Sequence, residues 1–185
     1  MRITGGEARG RRIHAPRIES VRPTPDMIRE ALFHILPSMD GLKFLDLFAG
    51  CGIVGMEALS RGAARTVFIE ENKRTAMAIS GNLQRCGWDK KGDILTMTVE
   101  RGLHSVEVKG EKFHIIFSDP PYEKGWVGRT LQGISQSTVC EERALIVFQH
   151  SIREEIAEES VGEFVSCDRR VYGDTIITIL KSENL

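Results

Sequence analysis

From residue 42 onward the chain alternates between strand-like and helix-like segments, and this alternation constrains the fold more than any other feature. Short apolar runs predict strands, and apolar residues at helical spacing predict helices. In chain order the predicted segments are strand 42–48, helix 54–61, strand 66–70, helix 73–85, strand 94–99, strand 113–118, helix 126–136 and strand 144–149. Such alternation is typical of a parallel sheet covered by helices on both faces, and right-handed crossovers make it doubly wound.

The last part of the chain departs from this rhythm. A short charged helix is predicted at 152–159, followed by two β-rich runs, 164–172 and 175–180, with only Gly173 and Asp174 between them. So short a connection predicts an antiparallel hairpin. A parallel sheet that ends in an antiparallel hairpin differs from the usual NAD-binding pattern.

Composition narrows the class of protein. The 185 residues, 41% hydrophobic and 28% charged, suit one ordinary globular domain. No apolar run approaches the ~20 residues that cross a membrane, and the first residues lack a signal peptide's apolar core. The cysteines are widely spaced without a CxxC pair, which indicates reduced thiols. We therefore expect a cytoplasmic monomer that uses neither metal nor membrane.

Positive charge is concentrated at the N-terminus. Residues 1–22 contain six arginines and two glutamates, a net charge of +4 in a chain whose net charge is −1. A basic arm on an acidic body predicts a phosphate-bearing partner, although a solvated surface hairpin explains the same charges. Thr24 as cap, with Pro25 and Asp26 after it, predicts the start of a helix. We expect an N-terminal extension over 1–22 and a single domain over 23–185.

A glycine-rich loop follows the first predicted strand. Gly50, Gly52 and Gly55 satisfy GxGxxG between a strand and a helix, and Glu70 ends the next strand, 20 positions after Gly50. The glycines permit a tight turn close to a ligand, and the glutamate is placed to bind both hydroxyls of a ribose. This spacing fits either NAD or another adenosine cofactor.

Asp46 favours one of these cofactors. A carboxylate near the loop repels a pyrophosphate but attracts an ammonium group, so it favours S-adenosylmethionine over NAD. The alternative is a buried aspartate that caps the loop's own amides. The loop also lacks the Lys-Ser or Lys-Thr of a nucleotide-hydrolysing P-loop.

A second motif, Asp119-Pro120-Pro121-Tyr122, follows the apolar run 113–117. The prolines cannot donate to a sheet ladder, so the strand ends on a carboxylate, carbonyls without partner amides and an aromatic ring. These groups make a plausible seat for a planar amine such as a nucleobase. The alternative is a Pro-Pro turn with the aspartate as a cap. Because ligands of open α/β sheets bind beyond the carboxyl ends of strands at the switch in strand order, we expect this motif and the glycine loop to face one crevice.

Together the two motifs resemble those of class I, S-adenosylmethionine-dependent amino-methyltransferases. The N-terminal residues 2–10, 21–26 and 29–33 are similar to those of the RsmD family of bacterial 16S rRNA guanine-N2 methyltransferases. The resemblance implies a Rossmann-like, seven-stranded, mostly parallel sheet with a C-terminal antiparallel hairpin. One departure is Arg101, which takes the position where relatives often have Asp or Asn near the adenine.

The resemblance also implies a role for each site residue. Asp46, Phe48, Ala49, Gly50, Gly52 and Glu70 would bind S-adenosylmethionine. Asp119, Pro120, Pro121 and Tyr122 would form the catalytic seat for the base. Arg9, Arg11, Arg12, Arg22 and Arg29 would contact phosphates of 16S rRNA or of the assembling small ribosomal subunit, although for Arg29 a local pair with Glu30 or Asp26 is an equal alternative.

The expected reaction is an in-line displacement at the sulfonium methyl by the guanine N2 amine. Asp119 and the Pro120 carbonyl would accept the two amine hydrogens while the base stacks on Tyr122, so positioning supplies most of the catalysis. Three alternatives remain open: an adenine-N6 methyltransferase acting on DNA or RNA, an NAD-dependent dehydrogenase, and a non-enzymatic RNA-binding module that retains the fold.

Overall fold

A computed structural model describes residues 1–16, 26–154, 156 and 164–182. These residues group into two compact units, Met1–Thr98 and Val99–Leu185. The elements of the first unit are α1 (Asp26–Ile35), β1 (Lys43–Asp46), α2 (Ile53–Ser60), β2 (Arg65–Ile69), α3 (Lys73–Cys86) and β3 (Gly92–Leu95). Strand β2 pairs in parallel with both β1 and β3, as the alternating segments predict.

Two helices of the first unit show how the sequence sets their limits and burial. Helix α3 begins after Asn72, whose side chain accepts hydrogen bonds from the amides of Arg74 and Thr75, and it ends at Gly87 in the left-handed conformation. Helix α2 is buried along its whole length. A helix that is buried on all sides belongs in a core, and α2 is the helix that follows the glycine loop.

The elements of the second unit are α4 (Val99–Val108), β4 (Phe113–Ser118), α5 (Trp126–Ser135), β5 (Cys140–Ser151), β6 (Phe164–Tyr172) and β7 (Thr175–Ser182). Strand β5 pairs in parallel with β4 and antiparallel with β7, and β7 pairs antiparallel with β6. Strand β7 is almost entirely buried, whereas β6 is mostly exposed. The predicted hairpin is therefore confirmed.

The seven strands have the order β3-β2-β1-β4-β5-β7-β6. Sequential strands run outward from β1 to β3 in one direction and from β4 to β5 in the other, which is the arrangement of a doubly wound sheet, and β7 lies between β5 and β6. The antiparallel strands at one edge complete the Rossmann-like, mostly parallel fold expected from the sequence.

Two segments differ from the prediction. The strand expected at 94–99 ends at Leu95, and Val99 instead begins α4, a helix that the alternating pattern at 94–99 concealed. Arg101 therefore lies in the first turn of α4 rather than directly after a strand. The charged helix expected at 152–159 is absent at residues 152–154 and 156, and its other positions lie outside the described residues, as do Thr24 and Pro25.

The basic N-terminus folds into a hairpin within the first unit. Arg2 and Arg12 form an antiparallel bridge, and the side chains of Ile3 and Ile13 are buried. The Asn82 side chain of α3 accepts from the backbone amide of His14 and donates to its carbonyl, at 3.0 and 2.8 Å. Residues 1–14 are thus a packed part of the first unit, which we call the N-terminal hairpin.

Two features are absent from the described residues. No group of three His, Cys, Asp or Glu side chains is placed to hold a metal ion. Within the same residues, no helix is long and apolar enough to cross a lipid bilayer.

Candidate functional site

The glycine loop makes a tight turn after β1. Gly50 and Gly52 have φ angles of 54° and 80°, which favour glycine. The amide of Gly52 donates to the carbonyl of Ala49 at 2.7 Å, and the amide of Ala49 donates to Ile69 at 3.0 Å. The loop is therefore closed on itself and fastened to the end of β2, as the GxGxxG spacing predicts.

Gly55 has a different role from the first two glycines. A Cβ atom at this position would overlap the ring of Phe68 and the side chain of Thr66, both buried in β2. The third glycine thus allows α2 to approach β2 closely, which is its role in dinucleotide-binding folds.

Replacement of Gly55 by alanine should destabilise the protein by about 1–3 kcal/mol, because one methyl group overpacks a filled core. Gly128 provides a matched control, since it lies in α5 with nothing within 4 Å of an added Cβ. Gly128→Ala should stabilise the protein by up to about 1 kcal/mol through helix propensity alone. Urea unfolding of both variants tests the contrast, and equal effects would contradict it.

Glu70 lies against the glycine loop, as its spacing predicts. Its carboxylate accepts from the amide of Gly50 at 2.8 Å and from that of Asn72 at 2.7 Å. Burial raises the pKa of Glu70, while these two amides oppose the shift. Each carboxylate oxygen has a second lone pair. A half-buried carboxylate so placed is suited to accept hydrogen bonds from two ribose hydroxyls.

Asp46 makes the contact that the capping alternative describes. The residue is buried, with 1% of its surface exposed, and its Oδ2 accepts from the amide of Gly55 at 3.2 Å. One carboxylate oxygen therefore stabilises the start of α2. Its expected contact with a cofactor stays a prediction.

In the second unit, β4 ends at Ser118, directly before the Asp-Pro-Pro-Tyr motif (residues 119–122). Asp119 and Tyr122 are partly exposed, Pro120 is buried and Pro121 is exposed. The side-chain amide of Gln149 on β5 donates to Asp119 Oδ2 at 3.2 Å and to the Tyr122 hydroxyl at 3.4 Å. One side chain of the neighbouring strand β5 therefore binds both the carboxylate of Asp119 and the phenol of Tyr122.

Further contacts fix the residues after the motif. The Tyr122 hydroxyl is 3.4 Å from Oγ1 of Thr175, the first residue of β7. Glu123 adopts φ of 58°, and its carboxylate accepts from the hydroxyl of Ser151 and from Arg153. A non-glycine residue with positive φ is uncommon, and such residues often lie at functional sites. Side chains from β5 and the first residue of β7 thus contact the motif and the residue that follows it.

The predicted RNA-contacting arginines fall into three groups. Arg9, Arg11 and Arg12 are exposed on the N-terminal hairpin, where Arg11 also donates to the carbonyl of Arg85 at 3.1 Å. Arg22 lies outside the described residues. The third group is Arg29 alone, which lies in α1.

Arg29 is completely buried. Its guanidinium donates to the carbonyl of Arg2 at 2.5 Å and forms ion pairs with Asp26 at 3.1 Å and Glu57 at 3.3 Å. The expectation that Arg29 contacts RNA phosphates is therefore wrong, and the alternative pairing with Asp26 is found. Its positive charge is paired with two carboxylates inside the first unit.

Glu57 is the centre of this buried cluster. It has no exposed surface, and its carboxylate accepts from the amide and hydroxyl of Thr4 at 2.8 and 2.9 Å and from the amide of Gly5 at 2.7 Å. It also pairs with Arg29 and Arg61. The cluster fastens the N-terminal hairpin to α2.

Comparison with known proteins gives a family. The sequence matches the family described as "Conserved hypothetical protein 95" over residues 1–181. The chain belongs to this family. The predicted resemblance to the RsmD family is confirmed.

The chain is 35% identical over 182 residues to "Putative rRNA methyltransferase YlbH" of Bacillus subtilis, and the match covers 98% of each. It is 33% identical over 153 residues to "Ribosomal RNA small subunit methyltransferase D" of Escherichia coli, covering 82% of this chain and 75% of that protein. A solved structure, "Putative methyltransferase yhhF from Escherichia coli", matches with a TM-score of 0.85 and 28% identity over 100% of this chain and 99% of the other. The family and its fold are those of methyltransferases.

Sequence reasoning missed Gln149, Thr175 and Glu57. Gln149 left a signal, since it is a long polar residue directly after the apolar run 145–148, near the end of a strand. Thr175 gave no such signal, because its contact with the motif depends on strand pairing. Glu57 interrupts an otherwise apolar helix, which predicts a buried partner but does not identify it.

Proposed function

We propose that this protein transfers a methyl group from S-adenosylmethionine to the exocyclic N2 amine of a guanine in 16S rRNA. Family membership and the names of the two relatives support the reaction and the class of substrate. The observation that carries the proposal is that the side-chain amide of Gln149 binds both Asp119 and Tyr122. Asp119 directly follows β4, and the two prolines after it prevent the strand from continuing. A cytoplasmic setting follows from such a substrate.

The glycine loop fits the methyl donor, which supplies an electrophilic methyl group on a sulfonium when it is bound. Glu70 would accept hydrogen bonds from the ribose hydroxyls, with its carboxylate oriented by the amides of Gly50 and Asn72. Residues 50–52 and Asp46 would hold the methionine part. The left-handed glycines leave no side chain between the backbone and this ligand.

The Asp-Pro-Pro-Tyr motif fits the acceptor. The guanine N2 lone pair is delocalised into the ring, so the amine is a weak nucleophile. Asp119 and the carbonyl of Pro120 would accept its two hydrogens and direct the lone pair away from the ring system, while Tyr122 stacks on the base. The negative charge of Asp119 would stabilise the cationic amine that forms, and the proton can then leave to water. A paired or stacked guanine must first be exposed.

A methylation assay tests the proposal. Small-subunit particles and naked 16S rRNA from cells that lack the protein are incubated with the protein and labelled S-adenosylmethionine, and the modified nucleoside is identified by mass spectrometry. N2-methylguanosine is the expected product. N6-methyladenosine would favour the adenine alternative, and RNA binding without transfer to either substrate would favour the binding module. Binding of NAD in place of S-adenosylmethionine would overturn the choice of cofactor.

The N-terminal hairpin would supply affinity for the RNA backbone. Replacing Arg9, Arg11 and Arg12 together by alanine should reduce the slope of log K against log salt by about two to three units, since each lost phosphate contact removes about 0.7–0.9. These side chains are exposed, and the one hydrogen bond described for them, from Arg11 to the Arg85 carbonyl, is exposed too, so the thermal unfolding midpoint should change little. Lys109→Ala with Lys112→Ala, also at exposed positions, is the control pair. An unchanged salt slope in the arginine variant would rule out this role.

A further inference from the structure

Gln149 occupies a position where a polar residue needs an explanation. It lies near the end of β5 with 3% of its surface exposed, next to the buried side chains of β7. Its Oε1 is buried without a hydrogen-bond partner among the described residues. An unsatisfied buried acceptor is destabilising, so packing alone would favour an apolar residue at this position. The cost indicates that Gln149 serves something other than stability.

The contacts of the Gln149 Nε2 atom indicate a role in holding the Asp-Pro-Pro-Tyr motif. It donates to Asp119 Oδ2 at 3.2 Å and to the Tyr122 hydroxyl at 3.4 Å. An ionised carboxylate can only accept, so the amide nitrogen, and not the oxygen, must face Asp119. One planar NH₂ group therefore sets the separation between the carboxylate and the phenol of the motif.

We propose that Gln149 is a positioning residue for methyl transfer: it fixes Asp119 and Tyr122 relative to each other and thereby sets where the target base lies. This inference rests on the proposed function. A neutral donor is chemically suited to the task, because it orients the carboxylate without cancelling its charge. A lysine or arginine at the same position would neutralise Asp119 and weaken its attraction for the amine as that becomes cationic.

The partner of Tyr122 on β7 completes the arrangement. The Tyr122 oxygen accepts from Gln149 and is 3.4 Å from Oγ1 of Thr175. Strands β5 and β7 are paired in this region, with Ser151 opposite Thr175. The two groups that orient the phenol thus stand on adjacent hydrogen-bonded strands, which is a rigid support for a ring that must stack on a base.

Gln149→Leu distinguishes a role of Gln149 in positioning Asp119 and Tyr122 from a role in the stability of the protein. We expect kcat for methyl transfer to fall about 10- to 100-fold, the effect of losing a hydrogen bond to a charged group. S-adenosylmethionine affinity should not change, and the thermal unfolding midpoint should stay the same or rise because the unsatisfied oxygen is removed. Gln132→Leu, an exposed position on α5, is the matched control.

Gln149→Glu adds a readout that a structural role would not produce. A glutamate beside Asp119 raises the pKa of the pair, since like charges disfavour ionisation. Its protonated form can still donate to Asp119, so transfer should be retained at low pH and lost as pH rises through that pKa. The wild type should lack this loss, and the leucine variant should be slow at every pH.

The outcomes distinguish the inference from the proposed function. An active wild type with an equally active Gln149→Leu variant would overturn the role of Gln149 alone. A slow leucine variant with a lowered unfolding midpoint, or a glutamate variant whose pH profile parallels the wild type, would also overturn it. A wild type that methylates no guanine would overturn the proposed function and this inference together.

Discussion

Asp119→Ala should slow methyl transfer by about two to three orders of magnitude while leaving S-adenosylmethionine binding intact. The carboxylate is expected to accept an amine hydrogen and to stabilise the positive charge that develops on nitrogen. Loss of one preorganised electrostatic group of this kind typically slows catalysis about 10²- to 10³-fold. Single-turnover transfer to small-subunit particles measures the rate, and isothermal titration measures cofactor affinity.

Asp119→Asn refines the same prediction. An asparagine keeps one acceptor oxygen, which either Gln149 or the amine can use, and it lacks the negative charge. Its rate should therefore lie between those of the wild type and the alanine variant. Asp89→Ala, at an exposed position of the first unit, should match the wild type. A fully active Asp119→Ala variant would falsify the base-seat assignment, and a loss of cofactor affinity would indicate a structural effect.

The two motifs were predictable because their signals are local. GxGxxG fixes backbone conformation within six residues, and two prolines stop a strand wherever it lies, so the glycine loop and the motif at 119–122 were found from sequence. The hairpin at the C-terminus was equally local. Helix α4 was missed because alternating apolar and polar residues at 94–99 match the period of a strand, while the chain in fact changes from β3 to α4 there.

Contacts between distant positions were not predictable. Gln149 is 30 positions from Asp119, and only the pairing of β4 with β5 brings them together. The prediction that Arg29 contacts RNA grouped it with the N-terminal arginines, whereas its carboxylate partner Glu57 stands 28 positions away on another helix. A single sequence contains no information on which such pairs meet.

Of the substitutions proposed here, Glu57→Leu should lower the free energy of unfolding most, by about 3–5 kcal/mol. This is the typical cost of removing one partner from a buried ion pair. The substitution leaves Arg29 in the core with Asp26 as its remaining carboxylate partner among the described ion pairs. It also removes the acceptor for the amides of Thr4 and Gly5. Whole domains are stable by only about 5–15 kcal/mol, so this variant could fail to fold.

Glu57→Gln keeps the prediction testable in that case. A glutamine retains the shape and one acceptor, so it should cost less than leucine yet clearly more than Glu30→Gln, an exposed control on α1. Urea unfolding measures the change in the free energy of unfolding for each variant. Surface substitutions usually change it by less than about 0.5 kcal/mol, so a Glu57→Gln value within that range of the control would contradict the prediction.

Arg29→Met tests how much of the stability of the buried cluster depends on Arg29 rather than on Glu57. It should cost less than Glu57→Leu, because Glu57 keeps Arg61, Thr4 and Gly5 as partners when Arg29 is removed. In the Glu57 variants the N-terminal hairpin should detach before the rest of the first unit unfolds, and trypsin should then cleave more rapidly at Arg9, Arg11 and Arg12. Faster cleavage there, with unchanged protection of β1 and β2, would show that one buried carboxylate holds the hairpin whose arginines we propose to contact RNA.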